Sequence, residues 1–372
     1  MPHPVVAEAS ALSRRDFVKV CTAAAAAVGL PAWAGEKMAE KVTKGKKPSV
    51  IWLHFQECTG CTESLLRANA PDLGELILDL ISLDYHETLA AAAGYQIEAA
   101  LESTMKENAG KYVLIVEGSI PLKDDGIYCY VGGKKAIDTL TRVAKDAAAV
   151  IAIGSCASWG GVPSASPNPT GAVGVSQALQ GKTVVTLPGC PANPYNLLGT
   201  VLQFVTFGTL PALDEKNRPK FAYGRVIHED CPRRAHFDSG RFAQAFGDEG
   251  HRNGWCLYKL GCKGPQTHAN CSLLHYCEVP GAWPIGTGHP CIGCTEQGIV
   301  FNVPIHANLP IDKPTAPMAY PGMAPAQGEK SIIAVGVAGL VVGAAAGAGF
   351  VASRKLTVEV RKAEGDGKEK AP

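Results

Sequence analysis

Apolar positions fall in short blocks over residues 48–225. Val50–Phe55 and Tyr112–Val116 are unbroken apolar runs of strand length, and Val150–Ile153 and Thr183–Leu187 are β-branched runs of the same kind. Lys134–Ala149 carries Ile137, Leu140 and Val143 at helical spacing, and Asn193–Phe207 also reads as helix. Strands alternating with helices predict an α/β domain built on a parallel, doubly wound sheet. The periodicity fades over residues 226–305, which are rich in Gly, Pro and Cys. A segment so poor in apolar pattern needs staples besides a hydrophobic core, and inorganic clusters can serve. Residues 306–330 hold five prolines without periodicity and read as a semi-extended linker.

The two ends depart from this pattern. Residues 332–352, "IIAVGVAGLVVGAAAGAGFVA", are 21 residues without a charge. At ~1.5 Å per residue they reach roughly 30 Å, one bilayer core, so a single transmembrane helix is expected. Gly339, Gly343 and Gly347 repeat the small-x-x-x-small spacing that lets another helix approach closely. Arg354, Lys355, Arg361 and Lys362 follow, which keeps the charged tail of residues 353–372 in the cytoplasm. At the other end, Arg14-Arg15 precedes a mild apolar run that closes on Ala32-Trp33-Ala34. Residues 1–34 therefore read as a twin-arginine signal peptide with cleavage after Ala34. That pathway exports proteins already folded around cofactors, and Cys21 is lost with the signal. The body is then expected at the periplasmic face of the cytoplasmic membrane.

Composition narrows the chemistry. The formal charge is +1 and the hydrophobic content 46%, so no nucleic-acid partner is implied and the core is large. Thirteen cysteines point to disulfides or metals. Cys58 and Cys61 form a C-x-x-C pair after the first strand, a spacing that serves a redox dithiol, a zinc knuckle or an iron–sulfur cluster equally well. Cys156 follows the run 150–153, and Cys190 follows the run 183–187. Carboxyl ends of parallel strands share one sheet edge, so these four thiols can converge. Gly60, Gly154 and Gly189 give the backbone freedom beside them. Four thiolates suit zinc or a cubane cluster, and ligands drawn from dispersed loops favour iron–sulfur. Seven further cysteines, from Cys231 to Cys294, lie within 64 residues.

Several stretches together resemble the small subunit of nickel–iron hydrogenases. They are "ECTGCTESLLR", "GSIPLKDDGIYC", "IGSCASWGG", "NPTGA", "PGCPANP", "HEDC", "FGDEGHRNGWCLYKLGCKGP" and "GHPCIGC", with the export signal and the anchor at either end. In detail the chain is similar to the membrane-anchored periplasmic uptake type. The resemblance implies a flavodoxin-like sheet domain over 48–225 and a cluster-rich irregular domain over 226–305. It implies that Cys58, Cys61, Cys156 and Cys190 hold a proximal 4Fe–4S cluster. His228, Cys231, Cys256 and Cys262 would hold a distal 4Fe–4S cluster, with the second ring nitrogen of His228 hydrogen-bonded. Cys271, Cys291 and Cys294 would hold a medial 3Fe–4S cluster, Pro284 standing where a fourth thiolate might otherwise be. Cys129 and Cys277 are left without a role. Gly60 and Gly161 stand where oxygen-tolerant members have extra cysteines, which implies a standard proximal cubane and an oxygen-sensitive enzyme.

The resemblance further implies that hydrogen chemistry lies on a partner large subunit. Its C-x-x-C pairs follow Arg-x and Asp-Pro, whereas Cys58 and Cys291 follow Gln56-Glu57 and His289-Pro290. This chain offers no catalytic residue of its own. Glu117, Asp124 and Asp125 are read as an interface loop without a proton role. The expected partners are the large subunit, the twin-arginine export machinery, and a membrane cytochrome b or other quinone-linked integral protein. Two rivals remain. One is an iron–sulfur quinone-reductase subunit like those of respiratory complex I; the other is a disulfide- or zinc-stapled envelope protein.

Overall fold

The computed structural model describes residues 18–19, 21–22, 25–26, 30–44, 47–68, 80–276 and 279–318. The expected anchor (332–352), the tail (353–372), the later part of the linker, most of the signal peptide and Cys277 lie outside the described residues. Among the described residues, no helix is long and apolar enough to cross a membrane.

Five parallel strands form the central sheet: β1 (Ser49–His54), β2 (Ser82–His86), β3 (Val113–Glu117), β4 (Ala149–Ile153) and β5 (Val184–Leu187). Their spatial order is β2-β1-β3-β4-β5. The register is set by pairs such as Val50↔Val113, Val113↔Ala149 and Val150↔Val184. This is the flavodoxin-like order, in which the switch point lies between β1 and β3. Strands β1, β3, β4 and β5 are buried along their whole length, which is why each reads as a continuous apolar run. One apolar layer lies on each sheet face. Trp52, Ile115, Ile151 and Val185 face one, and Ile51, Leu114, Val150 and Val184 face the other.

Strand β2 escapes the sequence reading. Its SLDYH pattern is half polar, and only Tyr85 and His86 are buried. It takes its place at the sheet edge through its backbone and through polar contacts, among them Ser49 Oγ donating to Asp84. The expected helix from Lys134 begins later. Lys134–Lys135 pair with Tyr130–Val131 as a short hairpin, and the helix runs Ala136–Lys145 with Leu140, Val143 and Ala144 buried. The helix after β5 runs Pro194–Phe207. Asn193 caps it by accepting from the Tyr195 N–H, and Gly208, at φ 69, ends it.

Residues 226–305 hold only short helical turns. Their small core is Ile227, Leu257, Leu260, Trp283 and Ile285 interleaved with Cys231, Cys262 and Cys291. The cysteines that composition singled out thus form part of this small core. A further helix, Ala32–Lys44, runs through the expected cleavage point and packs beside Pro194–Phe207, burying Ala34, Met38 and Ala39.

Candidate functional site: three sulfur groups in a row

Each of the first four thiols follows a strand at the same sheet edge. Cys58 and Cys61 lie after β1 and at the start of the helix Gly60–Leu66, Cys156 lies in the helix Gly154–Trp159 directly after β4, and Cys190 lies after β5. All four line one cavity of about 280 Å³ with Glu57, Gly60, Glu117, Gly154 and Gly189. A Cβ on Gly154 would stand 2.5 Å from the Cys61 Sγ, and one on Gly161 would stand 2.5 Å from the Cys156 Sγ. Glycine there, at φ +81 and +57, leaves the sulfurs free to face the cavity. Cys58 and Cys190 are exposed while Cys61 is buried. Burial, then the Glu117 charge, drives the Cys61 thiol well above its usual range, and burial with the neighbouring Cys190 takes Cys156 to about 12. Cys61, Cys156 and Cys190, which burial makes resist ionisation, share one cavity with Cys58 and suit a cationic iron centre, which would deprotonate them.

The second group is just as close-knit. His228, Cys231, Cys256 and Cys262 line one small cavity of about 10 Å³ with Arg233, Tyr258, Pro265 and Ile285. His228 is buried, and its imidazole is pushed down to about 4 by burial and by Arg234. A neutral ring at working pH is what a metal ligand requires. Among the described residues its ring meets Phe237 edge-on, centroids 4.5 Å apart, in place of the expected hydrogen bond. Burial raises Cys231 to about 11 and Cys256 to about 12.

The third group lies between them. Cys271 and Cys294 line a cavity with Cys190, Asn193, Tyr223, Trp283 and Pro284. Cys291 is close enough to Cys294 and Cys262 for each to raise its pKa further after burial has done so. Two joints connect the groups. At one, Cys190 and Cys294 line the same cavity, and Ser155 Oγ donates to the Cys294 carbonyl at 2.5 Å. At the other, the Cys291 N–H donates to Cys262 Sγ at 3.4 Å, and the Lys263 N–H donates to the Cys291 carbonyl at 2.8 Å. The sheet edge, the third group and the His228 cavity therefore form one row. The donor types, four thiols, three thiols, and three thiols with an imidazole, fit iron–sulfur centres.

Two features were missed or misread from sequence. Glu117 is not part of an exposed loop. It ends β3 fully buried, and its carboxylate accepts from the Cys61 N–H (2.9 Å), Thr62 N–H (3.2 Å), Thr62 Oγ1 (2.7 Å) and Trp52 Nε1 (3.2 Å). Asp124 and Asp125, read with it, are exposed. The second feature is a buried ionic knot behind Cys294. Arg218 bonds Asp214 and Glu296 at 2.8 and 2.7 Å, and Glu296 also accepts from Lys216 and pairs with His268 Nδ1. Only the two-residue separation of Glu296 from Cys294 hinted at it. Cys129 is half-buried and borders the apolar layer, remote from all three groups. Among the described residues all twelve cysteines are free.

Comparison with known proteins gives two family matches. Residues 58–204 match the family described as NADH ubiquinone oxidoreductase, 20 Kd subunit, and residues 223–306 match the family of the C-terminal part of the NiFe/NiFeSe hydrogenase small subunit. The Hydrogenase-2 small chain of Escherichia coli K12 is 53% identical over 356 residues, covering 95% of this chain and 96% of that one. The Quinone-reactive Ni/Fe-hydrogenase small chain of Wolinella succinogenes is 48% identical over 291 residues, 78% of this chain and 82% of that one. Among solved structures, the recombinant [NiFeSe] hydrogenase of Desulfovibrio vulgaris Hildenborough superimposes with a TM-score of 0.63 at 35% identity, over 68% of this chain and 95% of that one. The first match is shared with quinone reductases; the second, over the irregular half, is where that rival fails.

Proposed function

Because this chain belongs to the small subunits of nickel–iron hydrogenases, whose active site lies on the large subunit, we propose that it is the electron conduit of a membrane-bound uptake enzyme. Cys58, Cys61, Cys156 and Cys190 hold the proximal 4Fe–4S cluster. Cys271, Cys291 and Cys294 hold the medial 3Fe–4S cluster, with Pro284 at the corner that lacks a thiolate. His228, Cys231, Cys256 and Cys262 hold the distal 4Fe–4S cluster. When bound, these clusters supply one-electron redox chemistry. The protein's part is to order the three donor sets. The observation that carries the reading is the pair of joints, Cys190 and Cys294 on one shared cavity and the Cys291 N–H bonded to the Cys262 sulfur, which link the three groups into one row.

The ends of the row are distinguished by their surroundings. The exposed thiols Cys58 and Cys190 open the proximal end, and exposed Leu122, Ile127, Tyr128 and Val162 on neighbouring loops support a large-subunit interface there. The His228 end is the exit towards a membrane cytochrome b or other quinone-linked partner. The quinone-reactive name of the Wolinella relative supports that direction. The twin-arginine signal and the anchor at 332–352 place the body on the periplasmic face. Gly60 and Gly161 leave the proximal donor set at four thiols, so sustained hydrogen oxidation in air is not expected.

The test is His228→Gly in the purified heterodimer. Dye or quinone reduction should fall at least tenfold, while hydrogen–deuterium exchange at the large subunit stays near the wild-type rate. Equal loss of both activities contradicts the division of labour. Iron and acid-labile sulfide, assayed on the freshly isolated wild type, check that the clusters are present at all.

A further inference from the structure

Lys263 follows Cys262 and is fully buried. A buried ammonium is unfavourable unless its hydrogens are bonded. Its Nζ donates to the carbonyls of Gly261 (3.1 Å), Pro304 (3.2 Å), Ile305 (2.6 Å) and Ala307 (3.2 Å). Carbonyls only accept, so this cage suits the charged amine. Three of the four belong to the segment 304–307, which Lys263 therefore pins. The main chain of the same residue faces the medial group. Its N–H bonds the Cys291 carbonyl, and its carbonyl accepts from Thr267 Oγ1 at 2.6 Å, a hydroxyl 3.6 Å from Cys291 Sγ. Through its main chain Lys263 thus joins the Cys262 loop of the His228 group to Cys291 of the third group.

The pinned segment continues as a strap. Tyr258 OH donates to the Leu309 carbonyl (2.7 Å), Gln266 Nε2 to Pro310, and Arg234 Nη2 to Thr315 (2.8 Å), while the Met318 N–H donates to the Glu229 carbonyl (3.1 Å). Glu229, Arg234, Tyr258 and Lys263 follow His228, Cys231, Cys256 and Cys262 by one, three, two and one residues. Every distal donor loop therefore lends a bond to the strap.

We propose that Lys263 is a positioning residue for the exit end of the conduit, pinning the strap and placing a fixed positive charge that raises the reduction potentials of both the distal and the medial centres. The inference rests on the cluster reading above. A reduced centre carries one more negative charge, so a cation on the residue that joins its donor loops favours reduction.

The test uses the purified heterodimer with Lys263→Met and Lys263→Gln. Both remove the charge, and Gln keeps a donor for the carbonyl cage. Low-temperature paramagnetic resonance during a potentiometric titration reads each centre. Both variants should lower the medial and distal potentials by a roughly tenfold shift in the reduction equilibrium, about 59 mV for one electron. The proximal potential, which none of the Lys263 contacts reaches, should hold. Unchanged medial and distal potentials in an iron-replete variant overturn the proposal. Loss of iron from both variants overturns it as well, because Lys263 would then be a folding element. Iron missing from the wild type would instead sink the cluster reading on which it rests, and the two failures are told apart by that one assay.

Discussion

His86 shows how a single buried ring sets an acid limit. Its Nε2 lies 3.4 Å from the Nε2 of His54 and from Thr62 Oγ1, and its Nδ1 accepts from Leu89 and Thr88. Burial, then repulsion from His54, takes its pKa from 6.5 to about 3. The unfolded chain therefore binds a proton through this window that the folded chain refuses. The contribution is fully present above pH 6.5 and is lost as pH falls towards 3. The loss should be on the order of 3 kcal/mol by about pH 4. His86→Asn should flatten the fall of the thermal midpoint between pH 6.5 and 4 relative to wild type; parallel curves would refute the assignment. At this scale the sulfur donors were legible, because C-x-x-C spacing and positions after strands are written in the chain. Glu117 and Lys263 were not. A charged side chain in a Gly-rich stretch reads as solvated, and only the fold reveals that its partners are backbone groups from distant segments.

The elements that were legible are those whose burial is uniform. The runs behind β1, β3, β4 and β5 are apolar on both faces, and a strand so buried announces itself. The edge strand β2 is held by its backbone and a few polar contacts, so its composition carried little signal. Short turns defeat pattern reading for another reason: the helix Gly154–Trp159 is six residues long, less than two full turns. Its end nevertheless positions Cys156. Gly160 and Gly161 both take positive φ, and a Cβ at Gly161 would lie 2.8 Å from the Cys156 backbone nitrogen as well as against its sulfur. Gly161→Ala should therefore disturb this donor specifically. The expected result is loss of proximal-centre signal in low-temperature paramagnetic resonance, with the distal signal kept, and a stability lowered by roughly 1–3 kcal/mol through strain and crowding. An unchanged proximal signal would show that the helix end can shift without cost to Cys156.

At the scale of the molecule, the order of the three sulfur groups matters more than any one of them. The proximal group opens at the carboxyl edge of the sheet, where a doubly wound fold binds its ligand. The His228 group lies at the other end of the row, and there the strap of residues 304–318 begins the path towards the expected anchor. The sequence pattern of 306–330 reads as a semi-extended linker, and proline without periodicity says nothing about side-chain donors elsewhere. The bonds from Tyr258, Arg234 and Glu229 instead tie its first part to the exit loops. From Met318 to Ile332 there remain 14 residues, which at full extension span at most about 48 Å. On the proposal that residues 332–352 span the bilayer, that length is the longest tether the chain allows between Met318 and the membrane. Ending the chain after Lys330 should release the heterodimer from the membrane and leave hydrogen-dependent reduction of a soluble dye within about twofold of wild type. Quinone reduction in membranes should fall more than tenfold, because the acceptor then has to find the exit by diffusion and not by a held encounter. If the truncated enzyme reduced membrane quinone at the wild-type rate, the anchor would have no part in electron delivery and the exit would have to be sought elsewhere on the surface.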